Sequence, residues 1–149
     1  MIAAHDPATL YCRFIESVFN HRELDQLDQF LDRDVVDHAP EQTAGVAAAR
    51  QTLAAWLAAF PDLHMSIEDL VVDGDHLMAR LTATGTHAGP LGHLAPTGKW
   101  VSVPMFEAWL VPNDRCIQRW LCLDGCQLLL QLGLPLHGSA GSEGPYADD

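Results

Sequence analysis

The sequence has no apolar run near the ~20 residues that a bilayer-spanning helix needs. Basic residues are scarce: 8 Lys and Arg stand against 20 Asp and Glu, a formal charge of −12. Phosphate backbones and anionic lipid surfaces would be repelled by most of such a surface, so neither nucleic acid nor a membrane is an expected partner. The opening "MIAAHDPATLYC" lacks a basic stretch followed by a long apolar one, so no secretion signal and a cytoplasmic location are expected. The four cysteines (Cys12, Cys116, Cys122 and Cys126) form no CxxC pair, and free, buried thiols are expected rather than disulfides. No GxSxG, Walker or Rossmann glycine pattern occurs, which removes support for nucleophilic hydrolysis and nucleotide chemistry. There are no internal repeats.

What is present suits one domain of 149 residues, able to bury roughly 70% of its unfolded surface. Asp6-Pro7 reads as a helix start, and Leu10, Tyr11, Phe14, Ile15, Val18 and Phe19 recur at helical spacing to about Asn20. "RELDQLDQFLDRD" repeats that period as a shorter second helix, "VVDHAP" is a brief extended piece, and "GVAAARQTLAAWLAAF" is a third helix stopped by Pro61. From His64 the period becomes two. "LHMSIEDLVVDGDHLMARLTATGTHAG" gives two strands around Asp73-Gly74-Asp75, "WVSVPMFEAWLV" a third and "CIQRWLCLD" a fourth, before a short final helix ending near Gly133-Leu134-Pro135. Helices followed by an antiparallel meander make an α+β domain over residues 1–136, with a loose acidic tail at 137–149. A sheet bent around its helices encloses a cone-shaped cavity suited to a small hydrophobic molecule.

Within "RWLCLDGCQLLLQLG", alternation puts Trp120, Cys122 and Asp124 on one strand face and Leu121 and Leu123 on the other. If the following leucines fold back over the sheet, Asp124 lies beside a hydrophobic interior, where a carboxylate must be paired, hydrogen-bonded or used. Aspartate is also a favoured N-cap, and the two roles are compatible. Glu107 shares a face with Val101, Val103, Met105, Trp109 and Val111, and would need a partner such as Arg80. Arg80 lies in a polar stripe with Thr82, Thr84 and Thr86. His87 in "GTHAG" ends a strand beside a loop, and imidazole relays protons near neutral pH. His87 and His93 lack a third ligand at a matching spacing, so no metal site is expected. Trp56, Phe60, Met105, Trp109 and Trp120 are core residues of which some must wall the cavity.

The motifs "FNHRELDQLDQFLDRDVVDH", "AAFPDLHMSIEDLVVDGDHLMARLTATGTHAG", "PTGK" and "RWLCLDGCQLLLQLG" together resemble the SnoaL-like polyketide cyclase family, from about residue 14 to 134. That resemblance implies the cone fold of the nuclear-transport-factor-2-like (NTF2-like) superfamily and ring closure by intramolecular aldol condensation on a conjugated or aromatic ketone, without metal or organic cofactor. It maps the family's acid/base aspartate onto Asp124 and places His38 at the cavity rim. It leaves Arg80, His87 or His38 to orient carbonyl oxygens. The chain departs from the family pattern at Leu110, where an arginine commonly follows the strand's aromatic position.

Two other functions compete. Epoxide hydrolases of this architecture surround water with an Asp–Arg–Asp arrangement, which only Asp124, Arg80 and Glu107 would imitate here; cofactor-free oxygenation belongs with them as a second enzyme class. A binding module without catalysis is the other. A homodimer or homotetramer is expected through an outer sheet face carrying Leu81 and Ile117.

Overall fold

The computed structural model describes residues 6–39 and 42–136. Asp6 caps α1 (Pro7–Phe14), its carboxylate accepting from the Ala8 N–H at 3.1 Å, and Pro7 occupies the first turn where its missing N–H costs nothing. The chain continues without a break into a π-helical turn (Ile15–Asn20). Tyr11, Phe14, Ile15, Val18 and Phe19 are all buried, so the helical period read from the sequence does mark the core face. At its end the Asn20 side-chain amide accepts from the Met65 N–H at 2.9 Å and donates to the Met65 carbonyl at 3.2 Å. Met65 lies on the edge strand β3 (His64–Asp73), and this two-point contact occupies part of an otherwise open edge.

The second helix expected over 22–34 is not formed. Only a 3-10 turn (Leu24–Gln29) appears there, and Leu31–Asp37 is a strand, β1. Its buried residues Leu31, Val35 and Asp37 face inward while β6 (Cys116–Leu123) supplies a parallel ladder, so tertiary pairing overrides the local helical spacing. A two-residue strand β2 (Thr43–Ala44), the helix α2 (Val46–Ala59), β4 (His76–Thr86), β5 (Trp100–Leu110) and a final helix α3 (Gly125–Gln131) complete the described chain. The six strands run in the order β2-β1-β6-β5-β4-β3, antiparallel throughout except for β1 beside β6. Helices pack over one face of this mixed sheet, giving the α+β architecture. Leu77, Ala79 and Leu81 of β4 and Val101, Val103, Met105 and Trp109 of β5 form the sheet's contribution to the core.

Two sequence motifs are tied together by α3. β6 pairs with β5 only along Met105–Leu110, and beyond that point the Asp124 N–H donates to the Pro104 carbonyl at 3.2 Å. The Gln131 amide then accepts from the Ser102 N–H at 2.7 Å and donates to its carbonyl at 2.9 Å, continuing the ladder with a side chain. Gly133, at φ +77°, ends the segment beneath the Lys99 ammonium, and a Cβ there would sit 2.6 Å from Nζ. "PTGK" and "QLG" are therefore neighbours in space.

Two expectations need correction. Leu81 is buried and Ile117 lies on the same inward side as Arg119, so neither is on the outer face. The exposed large side chains of that face include Val71, Met78, Trp100, Phe106 and Trp120. Of the four free cysteines only Cys116 is buried, because Cys122 points outward from β6 and Cys12 and Cys126 lie on solvent sides of helices. The tail expected at 137–149 lies outside the described residues.

The loop after β4 is anchored at both ends of the "GTHAG" motif. Asp62 accepts from the Thr86 N–H at 2.6 Å and hydroxyl at 2.8 Å, and these bonds hold its carboxyl below the usual carboxylate range. Ala88 and Gly89 both donate to the Ala59 carbonyl at 3.0 Å, closing the C-terminal end of α2. A Cβ on Gly89 would overlap the Ala58 carbonyl oxygen and lie 2.9 Å from its carbon. Gly89→Ala is expected to lose about 1–3 kcal/mol in urea unfolding through overpacking; an unchanged midpoint would contradict this close approach.

Candidate active site

The concave face of the sheet, α2 and α3 enclose a cavity of about 660 Å3. Its walls are mainly apolar: Phe19, Leu53, Trp56, Phe60, Met65, Val103, Met105, Leu121, Leu123 and Leu128 contribute. Thr43 and Thr52 add hydroxyls. The charged residues lining it, among those described, are Asp37 and Arg119.

Strand register brings these two together. The parallel β1–β6 pairing sets Asp37 opposite Arg119, and the antiparallel β5–β6 pairing sets Trp109 opposite Arg119 from the other side. Glu107 points inward from the adjacent pair, and Tyr11 and Phe14 approach from α1. Arg119 Nε lies 3.4 Å from Asp37 Oδ2, and Nη2 lies 3.6 Å from Glu107 Oε1. Both are ion-pair distances that fall outside good hydrogen-bond geometry. Accordingly Nε and Nη1 of Arg119 and Oε1 of Glu107 have no hydrogen-bond partner among the described residues. The guanidinium also sits 5.9 Å above the Phe14 ring.

The second carboxylate is better satisfied. Glu107 Oε2 accepts from the Trp109 indole N–H at 2.9 Å and from the Tyr11 hydroxyl at 3.2 Å, while the Tyr11 and Trp109 rings meet edge-on at 4.9 Å. Asp37 accepts from the Ala39 N–H at 3.2 Å through Oδ1. Arg119, Glu107 and Asp37 are all buried. Burial opposes the charge on Arg119, but Glu107 and then Asp37 outweigh it, and its pKa is raised. Burial, followed by the Glu107 charge, pushes the Tyr11 phenol up. Burial likewise pushes the nearby Cys116 thiol up to about 12. Tyr11 and Cys116 thus keep their protons at neutral pH, and the Arg119 guanidinium stays charged.

A family model for SnoaL-like polyketide cyclases matches residues 9–132. The chain belongs to the SnoaL-like polyketide cyclase family. Among solved structures it is similar to TsrD from Streptomyces laurentii, at 28% identity and a TM-score of 0.79, covering 87% of this chain and 98% of that one. IdmH from Streptomyces antibioticus, described as a proposed polyketide cyclase, is 26% identical with a TM-score of 0.77, covering 87% of this chain and 100% of that one. AclR from Streptomyces galilaeus, described as a proposed hydroxylase, is 25% identical with a TM-score of 0.75 over 88% of this chain and 83% of that one. No curated protein matches the chain. The sheet and helices are those of the NTF2-like cone.

Against the expectations for a SnoaL-like chain, the residues sort by which face they occupy. Trp56, Phe60 and Met105 line the cavity. Asp124 does not: it is exposed at the N-cap of α3, where its carboxylate accepts from the Gln127 N–H at 3.0 Å. The expected burial of Asp124 fails because the inward face of β6 is that of Arg119, Leu121 and Leu123, and Trp120 and Cys122 share the outward face with it. Arg80 also points outward and pairs with Asp69 at 2.6 Å, so Glu107 finds Arg119 instead of Arg80. His38 and Trp120 stack on the outer face at 4.7 Å, and the His38 Nε2 contacts Gln118 Oε1 at 2.9 Å. Trp109 is core, wedged against Tyr11 and Phe14.

His87 is fully buried and stacks on Phe60, but it does not line the cavity. Its Nδ1 accepts from the Thr97 N–H at 3.2 Å and contacts the Thr97 hydroxyl at 3.1 Å, pinning the "PTGK" loop. Asp37 and Arg119 were not singled out from the sequence. The available signal was an arginine alternating with Leu121 and Leu123, which put a charge on the inward face of the strand beside the one that carries Glu107.

Proposed function

We propose that the protein carries out cofactor-independent acid–base chemistry of the polyketide-cyclase type on a neutral conjugated or aromatic ketone, with Asp37 as the proton-transferring group. The observation behind this reading is the pairing, on one wall of an apolar cavity, of a buried carboxylate with a buried guanidinium that retains unmatched N–H donors. Asp37 would take an α-proton from the bound ketone, and Arg119 would hold the oxygen on which negative charge develops. In ring closure the resulting carbanion adds to a second carbonyl of the same molecule, and the proton returns to the new alkoxide. Trp56 and Phe60, stacked at 6.1 Å, offer a flat apolar wall.

Epoxide hydrolysis is less well supported. Arg119 does lie between two carboxylates, but Glu107 is absent from the cavity lining, so only Asp37 reaches a water there. A binding module without catalysis has no need of a buried ion pair on its cavity wall, whose desolvation is costly.

The proton-transfer step is testable without the natural substrate. In D2O the protein is expected to accelerate exchange of the α C–H protons of 2-tetralone, followed by NMR, and Asp37→Asn is expected to slow this by about 100-fold or more while the ketone still quenches tryptophan fluorescence. Exchange at the wild-type rate in Asp37→Asn would remove Asp37 from the mechanism.

We propose further that two copies pair through the outer sheet face. Val71, Met78, Phe106 and Trp120 are exposed there at 65%, 63%, 55% and 40%, and the local Arg80–Asp69 pair cancels its own charge on a chain of net −12. Sedimentation is expected to give a dimer that Phe106→Glu converts to monomer. A monomeric wild type would refute this pairing.

A further inference from the structure

The buried cluster poses a charge problem that acid–base work would make worse. A carboxylate that is the sole counter-ion of a buried arginine cannot accept a proton without stranding the cation, and stranded buried charges are strongly unfavourable. Such an aspartate would be locked in its ionised form. Here Arg119 has two carboxylates within 3.6 Å, from two different strands.

The two are not equivalent. Glu107 is shielded from the cavity, and its Oε2 is committed to the Tyr11 hydroxyl and the Trp109 indole N–H. Those are two donors, which suit an acceptor-only, ionised carboxylate. Asp37 accepts one backbone N–H through Oδ1, and it borders the cavity. Glu107 is therefore the acid held away from the cavity and Asp37 the one open to it.

We infer that Glu107 is a positioning residue and permanent counter-ion of Arg119, held by Tyr11 and Trp109, whose function is to free Asp37 to gain and lose a proton. This rests on the proposed acid–base function for its purpose, though not for its electrostatics. The balance is simple: Asp37 takes one proton from the substrate carbon and later returns one, and Arg119 stays protonated and neutralised by Glu107 throughout. The groups that face this arrangement are Tyr11 from α1, Glu107 from β5, and Cys116 and Arg119 from β6. The one charged residue of α2, Arg50, turns away to Asp28 at 3.0 Å.

The decisive experiment follows the Asp37 side-chain carboxyl by 13C NMR through a pH titration, in the wild type and in Glu107→Gln. With Glu107 neutralised, Asp37 becomes the only counter-ion of Arg119, and its midpoint is expected to fall by about one pH unit or more. Tyr11→Phe, which removes one of the two bonds that hold Glu107, is expected to move it the same way by less, and it stands in if Glu107→Gln does not fold. For 2-tetralone exchange, Glu107→Gln is expected to lower kcat about 10-fold or more with KM unchanged and to shift the acid limb of the profile downward. A lower melting temperature with an unmoved Asp37 midpoint would overturn the inference and leave Glu107 a structural residue only. Absence of exchange in the wild type would instead count against the proposed function, since the titration does not depend on turnover.

Discussion

A guanidinium removed from water between two carboxylates is the constraint on which the rest of this cone depends. Arg119 is supplied by β6, and both its neighbours in the sheet, β1 and β5, must arrive in the right register for Asp37 and Glu107 to reach it. The parallel β1–β6 pair is unusual in an otherwise antiparallel sheet, and it is what sets Asp37 beside Arg119. α1 contributes the Tyr11 hydroxyl and the Phe14 ring, so the first helix is bound into the same cluster.

The cluster also divides the interior into two environments. On one side lie the aromatic rings of Tyr11, Phe14 and Trp109, close-packed and edge-on. On the other lies the open cavity, reached by one carboxylate and one guanidinium. The same ion pair thus serves as a wall of the core and as the charged patch of the pocket. A fold does not by itself set an activity, which resides in the residues of its site.

Much of the fold was legible in the sequence, because the helical and two-residue periods of 7–20, 45–60 and 64–124 each reflect one buried face. The strand at Leu31–Asp37 was not, since Leu24, Leu27, Phe30 and Leu31 satisfy a helical period and the parallel partner lies some 80 residues downstream. The inward face of Glu107 was read correctly from its apolar companions. The phase of β6 was not. Trp120 looks like a core residue and drew Asp124 inward with it, whereas Trp120 packs on His38 outside and Arg119, an improbable core residue by type, lies inside. A buried arginine is intelligible only once its two carboxylates are known, and one of them, Asp37, comes from a strand far upstream in sequence. Local pattern therefore located one acid of the cluster and missed its cation.

Urea unfolding of Arg119→Met as a function of pH tests this dependence most directly. Removing the cation strands two buried carboxylates, so the loss is expected to be about 3–5 kcal/mol at neutral pH and to shrink as acid protonates them, because protonation removes the unpaired charge. A loss below about 1 kcal/mol, or one of equal size at every pH, would contradict the central role of the Asp37–Arg119–Glu107 cluster in holding the cone together.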